Sequence, residues 1–348
     1  MNKSVLHNRF LYTASIIFLV FLAATLFAYK ITSDVAQQES RNRFYQDSLK
    51  IQNWVQVKLN LYILGAEGLS GLMEGSDDVR RDEWSTYIKK VKLIKDYPGI
   101  SSINYVEKVE NNNKKAFVES VRKDTSLNPK GYPDFNIYPE TDKAEYFVVK
   151  YIEPFEDREK ALGFDLGSED KRLQALERAR NSGKASSTGK IILATTNAPG
   201  FGLLIPVYNS KINANSTTEE RMVNIKGFVY AIFRGDEVFK AVYGKTDFFP
   251  NVDFEIYDSE NLSEDNLLYD RNPIHKILES MGKPGLHTKE TLVIDSQNWI
   301  ILISATKGFS LTKSQEFLPI TVLVSGLIFS FLFLGLFLRS FKQHLAIH

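Results

Sequence analysis

Two stretches of this chain run for the depth of a membrane without a charge. "FLYTASIIFLVFLAATLFAY" covers Phe10–Tyr29, and "FLPITVLVSGLIFSFLFLGLFL" covers Phe317–Leu338. At 1.5 Å rise per residue each helix would be roughly 30 Å long, the thickness of a bilayer core. A soluble helix of that length normally keeps a polar stripe, and neither run has one. Two transmembrane helices are therefore expected, over 10–31 and 317–338. For the first, a cleaved signal peptide is the alternative. Its apolar run exceeds the usual ~7–15 residues, and no small-x-small site precedes Lys30. Pro319 falls in the first turn of the second span, where a missing N–H costs little.

Basic residues set the orientation of such spans. Lys3 and Arg9 precede the first, and Arg339 and Lys342 follow the second. Segments 1–9 and 339–348 are thus expected in the cytoplasm, and 32–316 outside an inner or plasma membrane. Lys30 and Lys313 reduce the asymmetry. Forty-three Lys and Arg against forty-two Asp and Glu leave a formal charge of +1. That balance speaks against a nucleic-acid binder. There is no cysteine, hence no disulfide framework, thiolate catalyst or Cys-bound metal. An external region without disulfides needs a real core, and a prokaryotic envelope suits it.

Between the spans, 32–75 reads as a helical stalk. Phe44, Ser48, Ile51, Val55, Leu59, Tyr62, Ala66, Leu69 and Met73 alternate steps of three and four. That is the coiled-coil seam spacing. The seam fits either a homodimer through the stalk or a helix packed on its own domain. A second helix follows, with Trp84, Tyr87 or Ile88, Val91 and Ile94 near helical spacing, and Pro98-Gly99 stops it. Strands are expected at "ISSINYVEKV", "EYFVVKYIEPF", "ALGFDL", "GKIILAT", "FGLLIPVY" and "IKGFVYAIF". Helices are expected at "KKAFVESVRKD" and from about Glu169 to Asn181, with Ser168 as N-cap and Gly183 as left-handed C-cap. After Arg234 the pattern repeats on a smaller scale: a short helix at "GDEVFKAVYG", then strands "VDFEIYDS", "ETLVID" and "NWIILISAT". The reading is α+β in two units, a distal one over 76–233 and a proximal one over 234–316.

Several of these segments form a recognisable series. "YPGISSINYVEKV" (97–109), "YFVVKYIEPFEDREKALGFDLGSEDKRLQALERARNSGK" (146–184), "GFGLLIPVY" (200–208) and "KGFVYAIF" (226–233) resemble successive landmarks of the CHASE domain. That is the extracellular sensory domain of bacterial sensor kinases, diguanylate cyclases and plant cytokinin receptors. The resemblance implies a long stalk helix and two tandem PAS-like domains, larger distal and smaller proximal, between two transmembrane helices. It also implies that a carboxylate at Asp165 contacts the ligand. The chain departs from the plant receptors at Ser187, Thr188, Gly189, Lys190 and Ile191, and at Leu204, and from many bacterial members at Arg158. The departures turn the expectation from a purine pocket to ligand sensing in general.

Asp165 alternates with Phe164 and Leu166, so it would face the concave side of a sheet or solvent. In a mostly apolar cleft it would accept hydrogen bonds from a ligand. The other reading is a carboxylate that ties a strand-to-helix turn. Ser187, Thr188, Thr195 and Thr196 are candidates for a polar wall. Tyr105, Phe147, Tyr151 and Leu204 are candidates for an apolar one, though strand aromatics more often fill cores. Lys190 or Arg158 would meet an anion. No catalytic residue, metal ligand or cofactor is expected: His275 and His287 stand twelve apart with no ligand spacing around them, and no hydrolase, P-loop or Rossmann fingerprint is present. The expected protein is a membrane sensor of a small molecule. "RSFKQHLAIH" is too short for a histidine kinase or cyclase, so the output is expected in a longer receptor or a partner. A membrane-anchored scaffold binding other proteins is the alternative.

Overall fold

The fold is that of a computed structural model, which describes residues 3–193, 197–209, 212–241, 248–309, 311 and 313–347, without the side chains of 3–9, 341 and 344–347. The chain divides into two compact units, Ser48–Ser304 and the joined terminal segments Met1–Asp47 with Ala305–His348.

In the larger unit, helix α1 (Lys3–Glu74) contributes its part from Ser48 onward. Helices α2 (Arg81–Val91) and α3 (Leu93–Asp96) follow, separated by Lys92 at φ 56°. Five strands form the distal sheet: β1 (Ile100–Glu110), β2 (Glu145–Glu153), β3 (Ser186–Ile192), β4 (Pro199–Tyr208) and β5 (Ile225–Arg234). They pair antiparallel in the order β2-β1-β5-β4-β3. Helices α4 (Lys114–Arg122), α5 (Asp170–Ser182) and α6 (Thr218–Asn224) complete the distal domain. The proximal domain holds α7 (Gly235–Lys240), β6 (Val252–Tyr257), β7 (Leu267–Asp270), α8 (Ile277–Ser280), β8 (His287–Ile294) and β9 (Gln297–Ala305). Its sheet runs β7-β6-β9-β8. The α+β class with two PAS-like sheets is as the sequence and its resemblance imply. Strand β7 and helix α8 escape the sequence reading because four residues are too few to show a period.

The distal sheet has two different faces. On one, Ala175, Leu176 and Ala179 of α5 pack on Val106, Phe147, Val149, Leu204, Phe228 and Tyr230. The stalk and α2 cover the other. The seam residues Ile51, Val55, Leu59, Tyr62, Ala66, Leu69 and Met73 are all buried within this single chain. Gln52 and Gln56 donate to the Thr291 and Val293 carbonyls of β8 at 2.9 and 2.7 Å, and Ser70 donates to the Pro206 carbonyl of β4 at 2.7 Å. The three-four spacing therefore records packing on the chain's own sheets, and no second protomer is needed to bury it.

"ALGFDL" is not a strand. Two 3-10 turns, Glu159–Ala161 and Leu166–Ser168, flank isolated bridges at Phe164 and Asp165. The reason lies in Gly163, at φ 87°, where a Cβ would stand 2.0 Å from the Asn136 carbonyl oxygen. Glycine alone fits that backbone, and the segment crosses its neighbours instead of pairing along them. Helix α5 is capped by Glu169 rather than Ser168, whose hydroxyl donates to the Asp165 carbonyl at 2.7 Å. Gly183 does close it, at φ 72°.

The terminal unit pairs the start of α1 with α9 (Lys313–Ile347). Phe10 stacks on Phe337 at 4.6 Å, Phe18 meets Phe331 at 5.4 Å, and Phe21 meets Phe333 at 5.0 Å. A Cβ on Gly326 would come 2.4 Å from Thr25 Cγ2, so glycine sets the close approach of the two helices. Leu19, Val20, Phe331 and Leu332 turn outward, fully apolar, as lipid-facing side chains do. Both helices are long and apolar enough to cross a membrane.

Candidate ligand site

The residues singled out from sequence separate into three places. Asp165, Phe147 and Leu204 lie in the core beneath α5. Asp165 is 0% exposed. Its Oδ1 accepts the Phe147 and Gly167 N–H groups, both at 3.0 Å, and its Oδ2 accepts Lys143 Nζ at 2.9 Å. Lys143 also donates to the Gly167 carbonyl at 2.9 Å. The expectation that this carboxylate faces a cleft or solvent is corrected: it knots β2 to the turn before α5, with its oxygens already engaged. Phe147 packs edge-on to Phe228 at 5.6 Å, and Leu204 is wholly buried.

Ser187 and Thr188 sit at the junction of the two domains. The Ser187 N–H donates to Gln297 Oε1 at 2.7 Å, and the Ser187 carbonyl accepts Arg178 at 2.8 Å. Thr188 Oγ1 accepts the Gly202 N–H at 2.9 Å and donates to the Gly189 carbonyl at 2.9 Å. One residue on, the Lys190 N–H donates to Asp258 Oδ2 at 2.6 Å, and Lys190 Nζ to the Glu264 carbonyl at 2.6 Å. Ser296 Oγ adds a bond to the Ala185 carbonyl at 2.8 Å. Strand β3 is thus an edge strand of the distal sheet clipped to the proximal domain. Lys190 is spent on that junction, and Arg158 donates to the Glu156 carbonyl in its own turn at 3.0 Å. Thr195 and Thr196 lie outside the described residues.

Tyr105 and Tyr151 belong to the opposite face. A bulge in β1 after Tyr105 sets it across from Tyr151, with ring centroids 5.8 Å apart. Trp84 of α2 lies over both, at 6.1 and 6.2 Å. Arg81, one turn earlier, places its guanidinium 4.1 Å from the Tyr132 ring and 4.8 Å from the Tyr151 ring. The arrangement is a closed, packed aromatic chamber roofed by α2, and none of Arg81, Trp84 and Ser85 lines the clefts beside it. Arg81, Trp84 and Ser85 are spaced i, i+3, i+4, so all three face it.

Three neighbouring residues on one face of α2 carry unmet polarity here, as Trp299 Nε1 does singly in the proximal core. Arg81 Nε donates to Asp124 Oδ2 at 2.9 Å, but its Nη2 has no partner. Neither has Trp84 Nε1 or Ser85 Oγ. The three residues are 3%, 1% and 2% exposed. Native interiors leave few such groups unpaired. Burial works against the Asp124 charge, yet bonds from Ser126 and Arg81 outweigh it and hold that carboxyl below its usual range. Burial pushes the Tyr105, Tyr132 and Tyr151 hydroxyls up, so all three stay neutral at physiological pH. Tyr151 donates to the Val79 carbonyl at 2.9 Å.

Two clefts adjoin the chamber. Tyr132 walls one of about 260 Å³, shared with Phe135, Phe155, Leu162 and Asp134. Tyr105 and Val79 wall another of about 380 Å³, shared with Glu107, Lys150 and Lys226. Asp165, Ser187, Thr188, Leu204, Phe147 and Tyr151 line neither. Sequence reasoning took Trp84 for core and passed over Arg81, Ser85, Asp124 and Tyr132. An arginine inside the apolar stripe of an amphipathic helix was the available signal. Asp124 closes the expected helix "KKAFVESVRKD", and Tyr132 falls in the Pro-rich connection after it, which carries no period.

Two PAS-like domains bearing a buried polar chamber, in a chain with two membrane-length helices, define a class: extracytoplasmic sensors on a membrane anchor. The model of the CHASE domain matches residues 77–269, more than half of the 348 residues. The protein belongs to the CHASE domain family and is a membrane-bound extracytoplasmic sensor. Among solved structures it is similar to the ligand-binding domain of the Pseudomonas fluorescens chemoreceptor CtaA in complex with L-serine, at 10% identity and a TM-score of 0.47, covering 78% of this chain and 99% of that one. It is similar to the ligand-binding domain of the Pseudomonas aeruginosa amino acid chemoreceptor PctC in complex with GABA, at 10% identity and 0.43, over 74% and 95%. The periplasmic sensory domain of the Campylobacter jejuni chemoreceptor Tlp1 is a third, at 13% identity and 0.41, over 82% and 96%.

Proposed function

We propose that the sensor takes its small-molecule ligand into the chamber beneath α2, and not at Asp165. The observation that carries this is the set of buried, unpartnered polar atoms on Arg81, Trp84 and Ser85. A ligand shifts a protein only through different affinity for two states, so the site must touch something that moves. Six residues separate the end of α1 from the start of α2. Lys226 Nζ donates to the Met73 and Ser76 carbonyls at 3.1 and 3.2 Å, and Glu74 accepts the Tyr208 N–H at 2.8 Å. A tilt of α2 would pull on that end of the stalk, while β3 would carry sheet movement into the proximal domain. Both termini are placed in the cytoplasm and 32–316 outside, on the strength of the basic flanks. A histidine kinase or cyclase is the output that the family suggests, and the working role is reception rather than catalysis.

A homodimer through the stalk remains part of this reading, on a different face from the seam. Trp54, Val57, Leu61, Leu64, Gly68 and Gly71 repeat the three-four spacing and are exposed, Leu64 at 64%. The chain has no native cysteine, so Leu61→Cys tests that face by oxidative cross-linking in membranes. Dimer formation is expected there, and none with Leu59→Cys, which is buried in the protomer. The ligand reading is tested by thermal shift of the full-length protein in detergent against a broad metabolite set. Stabilisation that Trp84→Ala abolishes and Lys190→Ala leaves intact is expected. If no compound stabilises the protein, the scaffold reading gains. The filled core around Asp165 and the exposed stalk stripe favour that second reading.

A further inference from the structure

We infer that the chamber recognises a small organic carboxylate, an inference that rests on the chamber being the ligand site. The unpaired Nη2 of Arg81 and Nε1 of Trp84 are both N–H donors that can accept nothing. Ser85 Oγ lies on the same helical face and can donate as well. A carboxylate is acceptor-only, with two oxygens spaced for parallel donors, and bonds to a guanidinium are about twice as strong as neutral ones. Asp124 holds the Nε edge of Arg81, which fixes the guanidinium plane and leaves Nη2 for the ligand. The flat rings of Tyr105, Tyr132, Tyr151 and Trp84 suit the short carbon frame of the ligand, and make dispersion contact with it on all sides. Access is through the cleft of about 260 Å³ behind Tyr132, whose ring separates that cleft from Arg81.

The experiment titrates full-length protein in detergent with acetate, lactate, succinate and benzoate, and with the four matching amides. Melting temperature and tryptophan fluorescence are read for wild type, Trp84→Phe, Ser85→Ala and Arg81→Lys. At least one carboxylate is expected to raise the melting temperature, and its amide to do nothing. Ser85→Ala removes an unpaired polar atom with little change of volume, so it is expected to raise the melting temperature of the free protein, whereas Trp84→Phe also vacates buried volume and is read for binding alone; each is expected to weaken the carboxylate at least tenfold. Arg81→Lys keeps the charge, loses the planar fork and abolishes the response. Amides that act as well as acids, in a manner dependent on Trp84, overturn the carboxylate and leave the chamber standing. Carboxylate stabilisation indifferent to all three variants overturns the chamber itself. A free Ser85→Ala protein less stable than the wild type shows that hydroxyl already paired, which removes the premise. A panel in which no carboxylate acts overturns the inference.

Discussion

The two faces of the distal sheet handle buried polarity in opposite ways. Beneath α5, Asp165 meets three donors, and at the domain junction Thr188 meets two partners. Beneath α2, three polar residues equally buried each leave an atom with no partner. Both sets cost desolvation, but only the first recovers it within the chain. Polar groups that are already engaged, as at Asp165, hold the fold together and have nothing left to offer a ligand. A face that carries unmet donors is less stable than it need be, and a partner from outside can make good the difference. The contrast separates residues that build this sensor from residues that would read its ligand.

The sharpest way to break the contrast is at Asp165. Asp165→Ala leaves Lys143 Nζ and the Phe147 and Gly167 N–H groups facing an uncompensated hole. Breaking a buried charge pair in this way costs about 3–5 kcal/mol. Urea unfolding of the full-length protein measures it, and stability loss with ligand response intact at saturation is the expected pair. Unchanged stability with a lost response would return Asp165 to the ligand. A smaller loss is expected for Thr188→Val, which strips the Gly202 N–H of its acceptor and costs about 1–3 kcal/mol.

Why one face was legible in the sequence and the other was not follows from the same contrast. The strands of the distal sheet announce themselves through β-branched and aromatic runs such as "YFVVKYI", and α5 through its period and its closing glycine. The series around "ALGFDLG" was specific enough to suggest the family. It is specific because its geometry is demanding: Gly163 must be glycine, and Asp165 must bond in three directions. Those demands are of folding, and they match the second of the two readings that the sequence leaves open for Asp165, a carboxylate that ties a turn. Ser187 and Thr188 were expected on a pocket wall because nothing in a lone strand reveals that its edge meets another domain. The seam of the stalk had the right period and two possible partners, and burial against β8 and β4 is tertiary information that spacing does not hold. Arg81, Trp84 and Ser85 look like any amphipathic turn until the distances are known.

A third prediction sharpens the comparison by sign. Thr188 and Ser85 are both buried hydroxyls, on opposite faces. Removing the paired one destabilises. Ser85→Ala removes an unpaired one and relieves a penalty, so the ligand-free protein should gain roughly 1 kcal/mol. Chemical denaturation without added ligand checks it. Equal losses at Thr188 and Ser85 would erase the distinction between the faces.

The smallest effect concerns Asp258, where β3 of the paired face meets the proximal domain. Burial lifts its carboxyl above the usual 3.8, against the Lys190 N–H and the charges of Lys171 and Lys190 that favour ionisation. An acid raised in the folded state keeps a proton that the unfolded chain has released. Its contribution is therefore complete below the unfolded value and is lost as pH rises through the folded one. Asp258→Asn has no proton to lose and keeps an oxygen for the Lys190 N–H. The stability of the wild type relative to this variant should fall as pH rises from about 3.8 through the raised value. Asp253 is also raised, mainly by burial, so a slope of the same sign survives in the variant. Paired urea titrations across that window measure the difference. A difference that instead grows with pH would mean the junction depends on an ionised Asp258, and β3 would then be held to the proximal domain by charge rather than by its backbone bonds.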